Sequence, residues 1–212
     1  MFTTSTDRIR PNFRQNHLLI GLAIFYTLVW IWAAINPLHQ DDWLLENILV
    51  IIFVILLIVL YKKFPLSDLS YILITIFLTL HTIGSHYTYA EVPFGFWLDE
   101  TFNLGRNHYD RIVHFSFGLL LAYPIREVFL RVAHVKGFWA FYLPLDVTLA
   151  FSALYEIIEW GAARVFGGEL GAAYLGTQGD IWDAQKDMLA ATVGAIICMT
   201  ITALVRKKFK NK

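Results

Sequence analysis

The chain has a single cysteine, Cys198, among its 212 residues, so no disulfide bond can form within it. Charge is also scarce, at 16% of residues, and it cancels, with 17 Lys and Arg against 17 Asp and Glu. This balance gives no reason to expect a nucleic-acid partner. A cleavable signal peptide is missing too, because the first apolar run is as long as a full span and no small-residue cleavage site follows it. We expect that run to remain as a membrane anchor.

What the chain has instead is apolar sequence. Hydrophobic residues make up 57% of it, and the mean hydropathy is +0.54, which is typical of a membrane protein with several spans. We predict an all-α polytopic fold, a single transmembrane domain over residues 1–212 with about six helices. The expected spans are residues 18–35, 44–60, 69–86, 111–131, 138–160 and 187–205. Two long connections separate them, one aromatic over residues 87–109 and one glycine-rich over residues 161–179.

The basic residues are distributed unevenly among the loops. Sorting the loops alternately places 13 of the 17 Lys and Arg on one side and 4 on the other. Cytoplasmic loops carry an excess of Lys and Arg, so both termini are predicted to lie in the cytoplasm. The acidic residues do the reverse and collect at the outer side.

The outer ends of the last three spans carry most of the ionisable side chains. Asp180, Asp183 and Asp187 are spaced i, i+3, i+7, so they share one face if the helix begins by Asp180. Two further pairs have helical spacing: Asp110 with His114, and Glu156 with Glu159. These side chains lie at a similar depth and are expected to line one cavity, and His81, near the end of the third span, is expected to face it. The six carboxylates meet only two nearby cations, Arg111 and Lys186.

Three interpretations of this excess of acid remain open. A divalent metal such as Zn²⁺, Mn²⁺ or Mg²⁺ would neutralise it, although no motif as specific as H-E-x-x-H is present. Alternatively, the charges form a structural network in which Arg111 pairs with a glutamate and His114 with Asp110. The third interpretation is a cavity that binds a cationic or hydrogen-bonding substrate, or relays protons.

The cytoplasmic ends of the spans have fewer polar residues. Glu127 and Arg131 are spaced for an i, i+4 pair, and Arg126 is placed to bridge to Asp146 on the next span. Small residues at Ala190 and Gly194 predict close helix contact within the bundle.

Three segments carry a resemblance to known families: residues 110–115 (DRIVHF), 155–160 (YEIIEW) and 176–188 (GTQGDIWDAQKDM). With them, the chain resembles the YjdF-type family of bacterial inner-membrane proteins over nearly its whole length. The resemblance implies a multi-pass protein of the bacterial inner membrane without an established activity. A weaker likeness is to VanZ-like membrane proteins of the cell envelope. Asp110, His114, Glu156, Glu159, Asp187 and Gly194 match their motifs, whereas Ala191 stands where those proteins have Asn.

These patterns lead to hypotheses about roles. We expect His114, Asp110 and Glu159 to act in catalysis if the protein is an enzyme. Candidate metal ligands are His81, His114, Glu156, Asp183 and Asp187, and candidate substrate contacts are Arg111 and Asp180. One hypothesis is a metal-dependent enzyme acting on an envelope lipid or lipid-linked precursor. The other is a non-catalytic binder or transporter of a lipid headgroup or small molecule. Membrane lipids are the expected partners in both.

Overall fold

The computed structural model describes residues 13–168, 171 and 175–210. In these residues the chain forms seven α-helices and two short 3-10 helices. The α-helices are α1 (His17–Ala34), α2 (Gln40–Lys63), α3 (Asp68–Tyr87), α4 (Pro93–Phe102), α5 (Tyr109–Arg131), α6 (Trp139–Phe166) and α7 (Asp183–Lys210). Six of them, all but α4, are long and apolar enough to cross a membrane. The prediction of an all-α bundle with six spans is therefore confirmed.

The helix ends follow from local sequence chemistry. The Asn16 side chain accepts a hydrogen bond from the backbone N–H of Leu19 and caps α1, and Ser67 caps α3 in the same way through Ser70. Thr88 ends α3 in a left-handed conformation, with φ of 57°. Gly167, with φ of 62°, ends α6. The helices α2, α3, α5, α6 and α7 extend past the predicted spans, because the apolar pattern fades before the hydrogen-bonded helix stops.

The aromatic connection is more ordered than expected. It contains a 3-10 turn, Tyr89–Glu91, and the ten-residue helix α4, which begins with Pro93 at its first position. Gly95 of α4 lies against the Asn107 side chain so closely that a Cβ there would be 1.7 Å from Asn107 Oδ1. The prediction of a plain connection over residues 87–109 missed this helix, because α4 is too short to show a helical repeat of apolar residues.

The centre of the bundle is the contact between α5 and α7, with α3 and α6 on either side of α5. Glycine permits the close approach: a Cβ on Gly118 would lie 1.8 Å from the Ala191 carbonyl oxygen, and one on Gly194 would lie 2.2 Å from the Phe115 oxygen. The predicted close packing at Gly194 is confirmed. A cluster of Leu, Ile, Val and Tyr side chains fills the space among α2, α3 and α5.

Two ends of the bundle are distinguished below. The acidic end is where α2, α5 and α7 begin and where α3 and α6 finish. The basic end is opposite, where α5 finishes at Arg131 and α7 at Lys210. The sequence predicts that the acidic end faces outward.

Candidate functional site

The acidic end gathers eight carboxylates from four spans and one connecting turn, and we call them the acidic cluster. They come from α2, α5, α6 and the start of α7 with the turn before it. Its members are Asp42, Glu46, Asp110, Glu156, Glu159, Asp180, Asp183 and Asp187. Within the described part of the chain, only three basic side chains form ion pairs with them at full charge: Arg106, Arg111 and Lys186.

All three cations form hydrogen bonds with Asp180 or Asp183, on one side of the cluster. Arg111 Nη2 donates to Asp180 Oδ2 at 2.6 Å and to Asp183 Oδ1 at 2.9 Å. Arg106 Nη1 donates to Asp183 Oδ1 at 2.7 Å, and Lys186 Nζ donates to Asp180 Oδ2 at 2.6 Å. Hydrogen bonds from Lys186 and Arg111 hold the pKa of Asp180 well below its ordinary value of 3.8. Asp180 and Asp183 are therefore neutralised within the protein.

The helix α7 begins at Asp183, so Asp180 lies in the preceding turn, where its Oδ1 accepts a hydrogen bond from the Trp182 N–H. The condition for a shared helical face of three aspartates is therefore not met. Asp180 and Asp183 come together through Arg111 instead. The sequence pattern located the right residues but gave the wrong reason for their proximity.

Three aspartates form the most compact part of the cluster, and we call them the aspartate triad: Asp110, Asp183 and Asp187. One carboxylate oxygen from each lies within 4.8 Å of the others. Asp187 is only 2% exposed, and its Oδ1 has no hydrogen-bond partner. Its nearest cation is Arg111, whose Nε is 3.6 Å away, beyond hydrogen-bonding distance. A buried carboxylate oxygen without a partner costs free energy unless a cation or proton joins it.

His114 lies behind the triad, one turn along α5 from Asp110. Its Nε2 is 3.6 Å from Asp110 Oδ1 and 3.5 Å from Glu156 Oε1, so it stands between carboxylates of two helices. The sequence shows no hydroxyl in a recognisable context beside His114, but the structure places Ser152 Oγ 3.5 Å from its Nδ1. That distance is at the limit of a hydrogen bond, and Ser152 is 2% exposed, so it is not an accessible nucleophile.

His81 does not belong to the triad. It lies in a second, neighbouring group of side chains with Glu46, Tyr89 and Tyr155. Its Nε2 lies 3.9 Å from Glu46 Oε2, and its Nδ1 is 2.5 Å from the Tyr89 hydroxyl. The Tyr155 hydroxyl donates to the same Glu46 oxygen at 2.7 Å. Removal from water raises the pKa of Tyr89 well above its ordinary value, and the nearby Glu46 charge adds to the rise. Tyr89 is therefore a neutral phenol in this group.

A small cavity joins the two groups. Its volume is about 10 Å³, and it is lined mainly by acidic and hydroxyl-bearing residues: Asp42, Glu46, Thr88, Tyr89, Asp110 and Glu159, with Leu175 and Gly176. A space of this size holds one water molecule or one ion. It does not admit a lipid headgroup in the conformation described here.

A polar clasp joins the segments on either side of the site. Gln178 Nε2 donates to the Asn107 carbonyl at 2.9 Å, and Gln178 Oε1 accepts from the Asn107 N–H at 3.0 Å. Arg106 Nη1 also donates to the Thr177 carbonyl at 3.1 Å. These bonds hold the segment before α7 against the segment before α5, so the two arginines are kept beside their aspartates.

Comparison with known proteins agrees with the fold. Residues 18–208 match the model of a family described as "Predicted membrane protein (DUF2238)". The chain belongs to this family. It is 41% identical over 182 residues to the inner membrane protein YjdF of Escherichia coli (strain K12), covering 85% of this chain and 87% of that relative. No solved structure matches it. The YjdF-type resemblance is confirmed, and neither description names an activity.

For this member of the family, sequence reasoning missed part of the site. Asp42 precedes the predicted span 44–60 and Glu46 lies within it, and neither was expected at the site, whereas both are buried in the first turns of α2. Their i, i+4 spacing was the available signal. Arg106 was also missed, because a lone cation in the 23-residue connection 87–109 carries no periodic pattern. The residues predicted at the site do converge, with His81 one group away from the triad.

Proposed function

We propose that the protein binds one divalent cation at the aspartate triad and uses it to act on the headgroup of an envelope lipid or lipid-linked precursor. The observation that carries this proposal is the Asp187 carboxylate, whose Oδ1 is buried without a hydrogen bond beside Asp110 and Asp183. A bound cation would be the partner of that oxygen. It also accounts for the excess of acid over Arg and Lys at this end of the bundle.

The donor types favour particular ions. Carboxylate oxygens suit Mg²⁺ and Mn²⁺, and an added imidazole suits Mn²⁺ and Zn²⁺. His114 Nε2 faces Asp110 Oδ1 at 3.6 Å, so it is placed either as a further ligand or as an orienting partner of Asp110. Glu156, whose Oε1 lies 3.5 Å from the same His114 nitrogen, extends the donor set. His81 would orient Glu46 rather than bind the same ion.

The chemistry suggested for the site is hydrolysis or group transfer. A bound divalent cation would supply a water made acidic by the metal. His114, flanked by Asp110 and Glu156, is the group placed to take or return a proton, with Glu159 beside the cavity. A substrate would have to reach the site after the clasp at Asn107 and Gln178 opens, because the cavity is too small as it stands.

A second candidate function is non-catalytic binding or transport of a headgroup or small molecule. One observation favours it: Arg111, which the sequence suggested as a substrate contact, already donates to Asp180 and Asp183 and so belongs to an ion-pair network. In this alternative, the paired arginines and aspartates are a structural network, and the cation is held without turnover.

The first test is elemental analysis of tag-free protein purified in mild detergent and exchanged into metal-free buffer. Asp187→Asn and His114→Ala are compared with the wild type, and Glu100→Gln serves as the control because Glu100 is an exposed acid at the same end. We expect about one Zn, Mn or Mg per wild-type and control chain and a large loss in Asp187→Asn. A metal-free wild type that takes up none of these ions on addition would contradict the site.

The second test separates the enzyme from the binder. Proteoliposomes made with bacterial envelope lipids are incubated and the lipids analysed by mass spectrometry. Headgroup release or transfer that stops with a chelator and with His114→Ala supports the enzyme. Stoichiometric metal without any lipid product supports the binder instead.

A further inference from the structure

At the basic end, one arginine lacks the partner that its burial requires. Arg126 on α5 is 8% exposed, and its Nε has no hydrogen-bond partner. Within the described residues its guanidinium forms no ion pair. The expected bridge to Asp146 is not formed. The guanidinium lies instead over the Phe141 ring, 4.4 Å from its centroid. A cation–π contact offsets only part of the loss of water around the charge.

Arg131, five residues further along the same helix, has the hydrogen-bond acceptors that Arg126 lacks. Its Nη1 donates to Glu127 Oε1 at 2.9 Å and to the Pro65 carbonyl at 2.6 Å. Glu127 thus already pairs with Arg131, and among the described residues neither Glu127 nor Asp146 forms an ion pair with Arg126. Arg131 is the last residue of α5 and its side chain is 28% exposed, whereas Arg126 is buried and has neither of these partners.

The surroundings of Arg126 add positive charge rather than removing it. Arg206, near the end of α7, acts on Arg126 as a like charge. Lys207 and Lys208 follow on the same exposed last turns of α7. A lone buried cation with further cations around it is the usual setting for a bound anion.

The wall beside this position is apolar and aromatic. Ala122, Cys198 and Met199 form a buried cluster against which Phe141 packs. At the start of α6, Phe138 and Tyr142 stack with ring centroids 5.4 Å apart, and both are exposed. An exposed aromatic surface next to a cation at the end of a span fits an acyl chain below a charged headgroup.

We propose that Arg126, assisted by Arg206, binds the phosphate of an anionic phospholipid in the leaflet at the basic end of the bundle. The planar guanidinium gives paired donors to phosphate oxygens. The stacked aromatic side chains at the start of α6 receive the upper part of the acyl chain. This site is separate from the acidic cluster, since 16 residues of α5, or about 24 Å of helix, lie between Asp110 and Arg126.

The experiment uses delipidated full-length protein in a neutral detergent. Phosphatidylglycerol or zwitterionic phosphatidylethanolamine is added, and bound lipid is counted by native mass spectrometry beside the thermal midpoint. The variants are Arg126→Gln and Arg206→Gln, with Lys136→Gln as the control, because Lys136 is an exposed cation in the loop at the same end. Inorganic phosphate is tested separately.

We expect one phosphatidylglycerol per wild-type or control chain, at least tenfold weaker binding in Arg126→Gln, and a smaller loss in Arg206→Gln. Equal binding of both lipids, or unchanged binding in Arg126→Gln, would overturn the proposal. Stabilisation by inorganic phosphate equal to that by phosphatidylglycerol would also overturn it, in favour of a soluble anion. If Arg126→Gln fails to fold, Arg126→Lys and Arg206→Gln decide, since both should weaken lipid binding in folded protein.

Discussion

Glu127 and Asp187 are both buried carboxylates in the same helical bundle, yet their surroundings differ. Glu127 Oε2 accepts from the Ser67 N–H at 2.9 Å, from Ser67 Oγ at 2.7 Å and from Ser70 Oγ at 2.5 Å, while its Oε1 accepts from Arg131. Asp187 has an oxygen without any hydrogen bond and two acidic neighbours. The protein therefore supplies hydrogen-bond donors to both carboxylate oxygens of Glu127, but it leaves one oxygen of Asp187 without a donor.

The largest effect is expected at Glu127. Replacing it with Ala leaves the donors of Ser67 and Ser70 without their acceptor and Arg131 without its carboxylate, which should cost about 3–5 kcal/mol of unfolding free energy. Asp187→Asn should be neutral or slightly stabilising in metal-free protein, because it removes repulsion with Asp110. Denaturation in mild detergent, followed by tryptophan fluorescence, compares the two. A large destabilisation by Asp187→Asn without metal would show that the comparison is mistaken.

The next effect is the response to a divalent cation. If the wild type binds Mn²⁺ or Zn²⁺ at the triad, a cation at 100 times its dissociation constant should stabilise it by about 2.7 kcal/mol. Asp187→Asn should lose this gain. Glu100→Gln should keep it, because Glu100 lies outside the cluster. Thermal midpoints with and without metal provide the measurement, and equal gains in all three proteins would point to binding elsewhere.

Arg111→Gln tests the part of the cluster that the protein does neutralise with its own cations. The variant removes the guanidinium that pairs with Asp180 and Asp183, so it should destabilise metal-free protein by about 2 kcal/mol. It also removes a cation that competes with a metal near Asp187, so added Mn²⁺ should restore more stability than it adds to the wild type. A variant that is destabilised but gains no more than the wild type would argue that Arg111 is a purely structural partner.

The smallest effect concerns pH. The lowered pKa of Asp180 means that its ion pairs stabilise the folded state fully above its ordinary value of 3.8 and that this contribution declines as the pH falls through the folded value. The stability difference between wild type and Asp180→Asn should therefore be larger at pH 7 than at pH 3. The Asp180 side chain is 16% exposed but its partner Lys186 is 47% exposed, so screening by solvent keeps the difference small. A difference that grows at pH 3 would reverse the assigned sign.

The sequence predicted the six spans well, because long apolar runs and boundary charges report directly on membrane helices. It also located His114, Asp110, Glu156 and Asp183 at one end, since helical spacing and span direction fix their depth. Rotation about the helix axis is not fixed by depth. This is why His81 was expected beside His114 but pairs with Glu46, and why Arg126 was expected to reach Asp146 but lies over Phe141.

Contacts between loops were beyond sequence reasoning for a related reason. Arg106 reaches Asp183 only because Asn107 and Gln178 join two connections that are 71 residues apart. Neither connection has a period that would reveal the pairing. The helix α4 was missed because ten residues with Pro93 and Gly95 look like a turn, although proline is favoured at the first position of a helix.

The central claim is that the aspartate triad is completed by a divalent cation. The most direct test is a Mn²⁺ titration of tag-free, metal-free protein in detergent, with free Mn²⁺ followed by electron paramagnetic resonance. The account predicts one saturable site per wild-type chain, weakened at least tenfold in Asp187→Asn and unchanged in Glu100→Gln. Saturable binding that is the same in Asp187→Asn, or no saturable binding of Mn²⁺ to the wild type, would contradict it.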